Sequence, residues 1–373
     1  MAAHDSAPIS SRQVVFPSKG VIELDVIDVP QPQPDELVMR VTRVGICATD
    51  LHLLDGHIGD PFPLVPGHEF VGLVDAIGEQ AAASRGLSVG DRIAVEMLLP
   101  CGDCPRCREG AYNLCDRDDP ELSGPIGREY GVNIPRTTAP GLWGGYADHL
   151  IVPAEAIVHR LPAGLEWDTA ALVEPLAVAF RAVARGRVGP GDTVVVIGPG
   201  PVGLLIAAAA KIAGAATVVM VGTRPNRLEL ATRFGADAAV NSRATPDVRS
   251  AVRDALGGLA DVAIEIAGVP AAQSQAATLV RRGGRVVLAG ACGWDADVTF
   301  GSDRDLLTRE IDLLPSFLSA GGYEPSIAAL AEARYPFGDL VTHRFSLEDV
   351  ATAYDLVRGK QDGVIKAVLV VSE

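Results

Sequence analysis

The chain has 373 residues, of which 48% are hydrophobic and 21% are charged, a composition that fits two folded domains and excludes a disordered protein. Acidic residues outnumber basic residues by 47 to 32, and the net charge of −15 argues against general binding to nucleic acids or to anionic membranes. The N-terminal stretch 1–16 has no apolar segment long enough for a signal peptide, so we expect a cytoplasmic protein.

The first part of the chain, from residue 14 to about residue 160, predicts a β-rich domain. Short alternating runs such as 36–46 and 89–97 are rich in valine, and glycine and proline interrupt them often. Alternation of this kind is typical of strands, and the interruptions indicate long loops between them.

A set of metal-binding residue types is spread along the chain. Cys47 and His68 are strong zinc ligands, and either Glu69 or Glu174 can add an oxygen. Taken singly, a buried cysteine or histidine is more often structural. Three protein ligands with one open position, however, would make a catalytic zinc site.

Polar residues close to these ligands suit proton transfer. Asp50 is placed to orient His68 through a hydrogen bond behind the metal ligand. Thr49 and His52 supply a hydroxyl and an imidazole that can pass a proton from a bound alcohol to solvent. We therefore expect these two residues to be catalytic.

Four of the six cysteines lie close together with the spacing C-x2-C-x2-C-x7-C: Cys101, Cys104, Cys107 and Cys115. Four thiolates at this spacing can converge on one tetrahedral ion and leave it no open position, which predicts a structural zinc site. Disulfides are rare in cytoplasmic proteins and awkward between cysteines this close. An iron–sulfur cluster shares the first two spacings, but its last spacing is typically shorter and is followed by proline.

Strands and helices alternate in the second part of the chain. Helices separate the predicted strands, which lie at 192–198, 217–222, 238–240, 261–267, 285–290 and 312–318. This alternation, with short glycine turns, predicts a doubly wound parallel sheet of the Rossmann type. The most apolar region, 193–221, contains turn residues and Lys211, which suit two buried elements better than a membrane span.

The turn after the first of these strands reads GPGPVG and fits the G-x-G-x-x-G dinucleotide fingerprint between a strand and a helix. Gly198 allows the tight turn, Gly200 lets the backbone approach a pyrophosphate, and Gly203 lets helix and strand pack closely. Pro201 and Val202 open the helix, whose N-terminal N–H groups attract phosphate. The prediction is a dinucleotide-binding domain.

The next strand ends at Gly222, 19 residues after Gly203, where this fold normally places an acid that binds the ribose 2′-hydroxyl. Without that carboxylate, a 2′-phosphate is not repelled. Thr223 can donate a hydrogen bond, and Arg224 and Arg227 can hold an anion with forked donors. These residues predict NADP as the cofactor, with NAD as the alternative if the arginines only solvate a helix start.

Together these stretches resemble the zinc-dependent medium-chain dehydrogenase/reductase family, which includes alcohol, polyol and threonine dehydrogenases. The similarity spans nearly the whole chain in the family's order: GICATDLH, VPGHEFVGLVDAIG, VGDRIAV, the four-cysteine loop, GGYADHLIVP, EPLAVAFRAV and VVVIGPGPVGLL. The resemblance implies two zinc ions per chain. It also implies a GroES-like catalytic domain at 1–174 and 312–373, and a Rossmann domain at 175–311 between them.

One departure bears on the substrate. Simple alcohol dehydrogenases carry a third zinc-binding cysteine at the position of Glu174. In having a glutamate there, this chain resembles the polyol, sugar and threonine dehydrogenases. The resemblance therefore implies a polar secondary alcohol or ketone as the small-molecule substrate, and a homo-oligomer, dimer or tetramer. The alternatives are an NAD-linked polyol or threonine dehydrogenase and, outside enzymes, a noncatalytic NADP-binding redox sensor.

Overall fold

The computed structural model describes residues 9–123, 127–293 and 295–373. The first eight residues of the stretch considered as a signal peptide lie outside this range. The chain divides into two compact units, one reaching to Glu174 and joined by Val341–Glu373, and the other comprising Pro175–Leu340. Within the described ranges, no helix combines the length and the apolar character needed to cross a membrane.

The elements are numbered in chain order. The strands are β1 Ile9–Val15, β2 Glu23–Val29, β3 Leu37–Gly45, β4 Glu69–Ile77, β5 Arg92–Val95, β6 His149–Val152, β7 Val158–Arg160, β8 Thr193–Ile197, β9 Thr217–Gly222, β10 Ala238–Asn241, β11 Ala260–Glu265, β12 Val280–Leu288, β13 Asp312–Pro315, β14 Val341–Phe345 and β15 Lys366–Val370. The α-helices are α1 Ala48–Leu54, α2 Glu79–Arg85, α3 Pro105–Arg108, α4 Pro120–Ser123, α5 Trp167–Ala170, α6 Val173–Arg185, α7 Pro201–Ile212, α8 Pro225–Arg233, α9 Val248–Leu256, α10 Pro270–Leu279, α11 Tyr323–Glu332 and α12 Val350–Gly359. Short 3₁₀ or π turns lie at Tyr112–Leu114, Ser302–Leu306, Leu307–Arg309 and Phe337–Leu340.

The first unit is built on a mixed sheet in the order β14-β15-β3-β4-β5-β7, with β6 also paired to β3 and a separate β1–β2 hairpin. The central strand β3 is buried along most of its length, which fits its run of valine, leucine and methionine. Since β3 and β4 are antiparallel, Gly45 at the end of β3 lies opposite Glu69 at the start of β4. β15 pairs with the other edge of β3, with Val368 opposite Gly45, so Lys366 starts its strand at the same end of the sheet. The β-rich domain is confirmed.

The second unit is a parallel sheet in the order β10-β9-β8-β11-β12-β13. Its central strands are continuous apolar runs because helices cover both faces of such a sheet. The order is that of a Rossmann fold, and it reverses between β8 and β11, where this fold binds its ligand. The predicted doubly wound sheet is confirmed.

The predicted boundary at residue 312 is wrong, whereas the first boundary, after Glu174, coincides with the division of the structure. Residues 312–315 add a parallel strand to the second unit, with Arg285 opposite Asp312 and Leu288 opposite Pro315. These backbone hydrogen bonds keep the strand and the following helix α11 in the second unit. The chain returns to the first unit only at Val341, which begins β14.

Candidate active site

Three side chains of the first unit present ligand atoms at one point. The ligand atoms of Cys47, His68 and Glu69 all lie within 4.8 Å of one another. His68 and Glu69 are buried, and Cys47 is half-buried. Thiolate, imidazole and carboxylate are the donors that zinc accepts in catalytic sites, and three donors leave one position for a substrate. The donor set fits a catalytic zinc ion.

Asp50, which is completely buried, holds two of these ligands in place. Its Oδ2 accepts hydrogen bonds from the backbone N–H of Cys47 and from the hydroxyl of Tyr146, both at 2.9 Å. Its Oδ1 lies 3.4 Å from Nδ1 of His68, which leaves Nε2 as the ring nitrogen for a metal. A carboxylate behind a histidine ligand fixes the ring and raises its basicity.

The electrostatics of the cluster favour a bound cation. Burial opposes a positive charge on His68, but Asp50 and Cys47 raise its pKa well above the ordinary value. Burial, with the nearby charge of Glu69, raises the pKa of Glu174 to about 7. Nearby negative groups therefore favour the protonated form of His68, whereas burial is the main reason that Glu174 is protonated. A divalent cation would displace protons from ligand atoms of this kind.

Lys366 is a site residue that the sequence analysis missed. Its Nζ forms an ion pair with Oε2 of Glu69, and both side chains are almost completely buried. Burial alone would lower the pKa of Lys366, but Glu69 raises it above the ordinary value, so the lysine stays charged. A carboxylate can bind a lysine and a metal ion at the same time, so this pairing is compatible with a metal at Glu69. The sequence did offer a signal, a single lysine in an otherwise apolar strand. A lysine buried in such a strand needs a carboxylate partner.

The second candidate carboxylate, Glu174, lies at the start of α6 and is buried. In the part of the chain that the structure describes, it does not belong to the group whose ligand atoms lie within 4.8 Å of one another. The geometry thus brings Glu69 to Cys47 and His68, and leaves Glu174 as a neighbouring carboxyl group.

The two candidates for proton transfer lie on α1. Oγ1 of Thr49 is 3.5 Å from Sγ of Cys47, so this hydroxyl lies beside the ligand set. His52 comes three residues later and is exposed. Its Nδ1 lies 3.4 Å from Nδ1 of His57, a second exposed imidazole that the sequence analysis did not single out. Thr49 therefore lies near the metal ligands and His52 near solvent.

The four cysteines of the 101–115 loop converge on one point. Their Sγ atoms lie within 4.8 Å of one another, and those of Cys101 and Cys107 are 3.9 Å apart. Tetrahedral zinc–sulfur bonds of about 2.3 Å separate sulfur atoms by about 3.8 Å, whereas a disulfide needs about 2.05 Å. Burial opposes ionisation of Cys104, but N–H donors from Asp116 and Cys107 lower its thiol pKa to about 6. The loop fits a structural zinc ion.

The glycine turn joins β8 to α7 beside the point where the strand order reverses. Gly198 has a φ of +114°, which favours glycine, and a Cβ at Gly203 would overlap the carbonyl oxygen of Gly198. No atom of the described residues lies within 4 Å of a Cβ built on Gly200. The turn is thus tight, closely packed on one side and open on the other, as phosphate binding requires. Pro201 and Val202 form the first helical positions of α7.

Two cations lie together after β9. Arg224 is the N-cap residue of α8, and Arg227 lies in its first turn, while Thr223 is exposed beside them. Burial lowers the pKa of Arg227 and the charge of Arg224 lowers it further, so the two guanidinium groups are close. Across the described ranges, Arg224 has no carboxylate partner. Adjacent cations of this kind favour an anion between them.

Known proteins resemble the chain over most of its length. The sequence models of the alcohol dehydrogenase GroES-like domain and of the zinc-binding dehydrogenase family match residues 33–163 and 201–332. A Mycobacterium tuberculosis protein named "Probable alcohol dehydrogenase adh" is 38% identical over 341 residues, 90% of this chain and 91% of that protein. The erythritol/L-threitol dehydrogenase of Mycolicibacterium smegmatis is 33% identical over 371 residues, 96% of this chain and 98% of that protein. The crystal structure of a Sinorhizobium meliloti 1021 protein bound to NADP superposes on this chain with a TM-score of 0.84 at 29% sequence identity. The match covers 97% of this chain and 99% of that protein.

Proposed function

Because the chain belongs to the zinc-dependent medium-chain dehydrogenase/reductase family and is an alcohol dehydrogenase-type oxidoreductase, we propose that it transfers hydride between NADP(H) and a polar secondary alcohol or ketone. The cofactor claim depends on one observation, the pair of arginines that follows Gly222, the position at which an acid would select NAD. The substrate class is that of polyols, sugars or amino alcohols. The relative named for erythritol and L-threitol supports a polyol.

We propose two zinc ions per chain. Cys47, His68 and Glu69 would hold the catalytic ion, and the four cysteines of the 101–115 loop would hold the structural one. When bound, the catalytic ion supplies Lewis acidity that lowers the pKa of an alcohol, and the nicotinamide supplies the hydride acceptor. The chain would arrange these groups through Asp50, which fixes Cys47 and His68, and Lys366, which fixes Glu69.

The chain's own residues would move the proton. In the oxidative direction, Thr49 Oγ1 accepts the hydroxyl proton of the alcohol and passes it towards His52, whose exposed ring releases it to water. The carboxyl group of Glu174, which is buried near Glu69, can form a hydrogen bond with a further hydroxyl of a polar substrate. A second hydroxyl is what distinguishes a polyol from a simple alcohol.

The alternative that is not an enzyme is a noncatalytic NADP-binding sensor. The residues of the first unit argue against this alternative. Cofactor binding by the second unit requires no cluster of thiol, imidazole and carboxylate groups in the first unit, and no hydroxyl beside that cluster. A metal assay separates the two functions. We expect two zinc ions per chain and loss of turnover with a chelator; turnover that survives complete metal removal would refute the zinc enzyme.

The test of the cofactor claim is Arg224→Ala. We expect NADP binding to weaken by about 1–3 kcal/mol, the scale of a charged hydrogen bond, with NAD binding almost unchanged. Arg282→Ala is the matched control, since Arg282 is also an exposed arginine of the second unit but lies at the start of β12. Calorimetric titration with both cofactors measures the difference. An equal loss for NADP and NAD would refute the assignment of NADP.

A substrate panel decides between the remaining possibilities. Polyols, sugars, amino alcohols and ketones are assayed with NADP(H) and NAD(H) in parallel. An NAD-linked polyol or threonine dehydrogenase would turn over the same substrates with NAD preferred. We also expect a homo-oligomer that works in the cytoplasm on a small molecule, without nucleic acid or membrane partners.

A further inference from the structure

At Gly222, the last residue of β9, neighbouring atoms leave no space for a side chain. Its φ lies outside the left-handed region, so the backbone accepts any residue. A Cβ built on it, however, would overlap Cδ and Cγ of Pro199 and would also touch Cδ2 of Leu228 at 3.4 Å. No side chain fits at position 222 while the proline ring stays where it is.

Pro199 cannot easily move away, because the residues on both sides of it are fixed. The N–H of Gly198 donates to the carbonyl oxygen of Val221 at 2.9 Å, which ties the turn to β9. A Cβ on Gly198 would lie 2.7 Å from the backbone nitrogen of Ala267, so the turn is also pressed against the segment after β11. On the other side Pro201 begins α7.

We infer that Pro199 is a specificity-determining residue for the cofactor, because its ring occupies the space of any side chain at position 222. The acid that binds the 2′-hydroxyl of NAD stands at the end of this strand in dinucleotide folds. Pro199 therefore excludes that acid by contact, while Arg224 and Arg227 attract the 2′-phosphate. Specificity built from a repulsive and an attractive element is common in recognition. The inference rests on the proposed preference for NADP.

The contact itself is tested without any cofactor. Gly222→Ala should lower the Tm of the apoprotein by about 3–10 °C, the scale of overpacking in a buried site. Pro199→Ala removes Cγ and Cδ, so Pro199→Ala/Gly222→Ala should recover most of the loss. Gly258→Ala is the control, since a Cβ there meets no atom within 4 Å among the described residues.

Two outcomes would overturn the contact. One is a Gly222→Ala protein as stable as the Gly258→Ala control. The other is a double variant that stays as unstable as the single one. If Gly222→Ala does not fold, recovery of folded protein in the double variant supports the contact, and failure to recover it refutes the contact.

The consequence for specificity is tested with Gly222→Asp, Pro199→Ala and the double variant. Dissociation constants for NADP and NAD are measured by calorimetry. Gly222→Asp alone should weaken both cofactors because it displaces the turn. Pro199→Ala alone should keep the NADP preference, and only the double variant should bind NAD at least about 10-fold more tightly than the wild type does.

The inference fails if Gly222→Asp alone gains as much NAD affinity as the double variant. It also fails if the double variant gains none. The proposed function fails separately, if the wild-type protein binds NAD as tightly as NADP. In that last case the Tm measurements still decide whether Pro199 closes position 222.

Discussion

Single residues in the proposed active site are held by buried charges that depend on one another. Lys366 and Glu69 form one such pair, and Asp50 with His68 forms another. Removing one partner of a buried pair leaves the other charge without compensation in a medium that solvates it poorly. The next prediction follows from this property.

Lys366→Met should destabilise the metal-free protein by about 3–5 kcal/mol, because Glu69 is left buried and unpaired. Glu69→Gln/Lys366→Met should recover most of this loss, since both charges are gone. Lys19→Met, at an exposed position, should change stability by less than about 0.5 kcal/mol. Urea unfolding after chelator treatment measures all three. Equal losses in the single and double variants would show that the ion pair is not what stabilises this position.

Glu129 gives the second prediction, which concerns pH. Burial, with the nearby charge of Asp118, raises its pKa from 4.5 to about 8, while the nearby His68 acts in the opposite direction. Asp118 also accepts a hydrogen bond from Asn133 at 3.2 Å. At a pH between 4.5 and about 8, Glu129 holds a proton in the folded protein and releases it in the unfolded chain. The free energy of unfolding therefore falls as the pH rises through this range.

In measurements, the free energy of unfolding of the wild type should fall by roughly 2–4 kcal/mol between about pH 5 and about pH 8 relative to Glu129→Gln. The glutamine cannot ionise, so this contribution to the pH dependence disappears. Glu332→Gln, at an exposed position, should keep the wild-type slope. Parallel pH profiles for the wild type and Glu129→Gln would contradict the buried, protonated state of Glu129.

At the scale of elements, local patterns were readable and long-range partners were not. The glycine turn and the four-cysteine loop are each contained in fewer than 20 residues, so spacing alone predicted where their atoms meet. The ion pair of Lys366 with Glu69 depends on the pairing of β15 with β3, where Val368 lies opposite Gly45, more than 300 residues away in sequence. The spacing of residues along the sequence does not predict such a long-range strand pairing.

The four-cysteine loop gives a prediction of its own. Cys104→Ser should reduce the zinc content from two ions to one per chain and destabilise the first unit, because a structural zinc contributes folding free energy. Cys292→Ser is the matched control, since Cys292 belongs to neither ligand set. Dinucleotide binding by the second unit should survive in both variants. Two zinc ions in Cys104→Ser, measured by metal analysis, would remove this loop from the list of zinc sites.

At the scale of the whole molecule, the second domain boundary could not be predicted from the sequence pattern. A short run such as 312–315 has the same appearance whether it closes one sheet or opens another. Its place was decided by parallel pairing with β12, which a pattern of four residues does not specify. The fold class was recoverable because it depends on the repeated alternation of many elements, and an error in one strand does not change it.

The net charge of −15 also acts at this scale. A protein with so many carboxylates repels an anionic cofactor at long range, so short-range cations must compensate. Arg224 and Arg227 stand together after β9, and Arg224 has no carboxylate partner in the described part of the chain. The proposed preference for NADP therefore depends on whether these two residues bind the 2′-phosphate.

The measurement that tests this most directly is kcat/KM for NADP and for NAD with the best substrate of the panel. We predict a ratio of at least about 10 in favour of NADP, as expected from one or more charged hydrogen bonds to the 2′-phosphate. The ratio should fall towards one in Arg224→Ala. A wild-type enzyme that uses NAD as well as NADP, or better, would contradict the account.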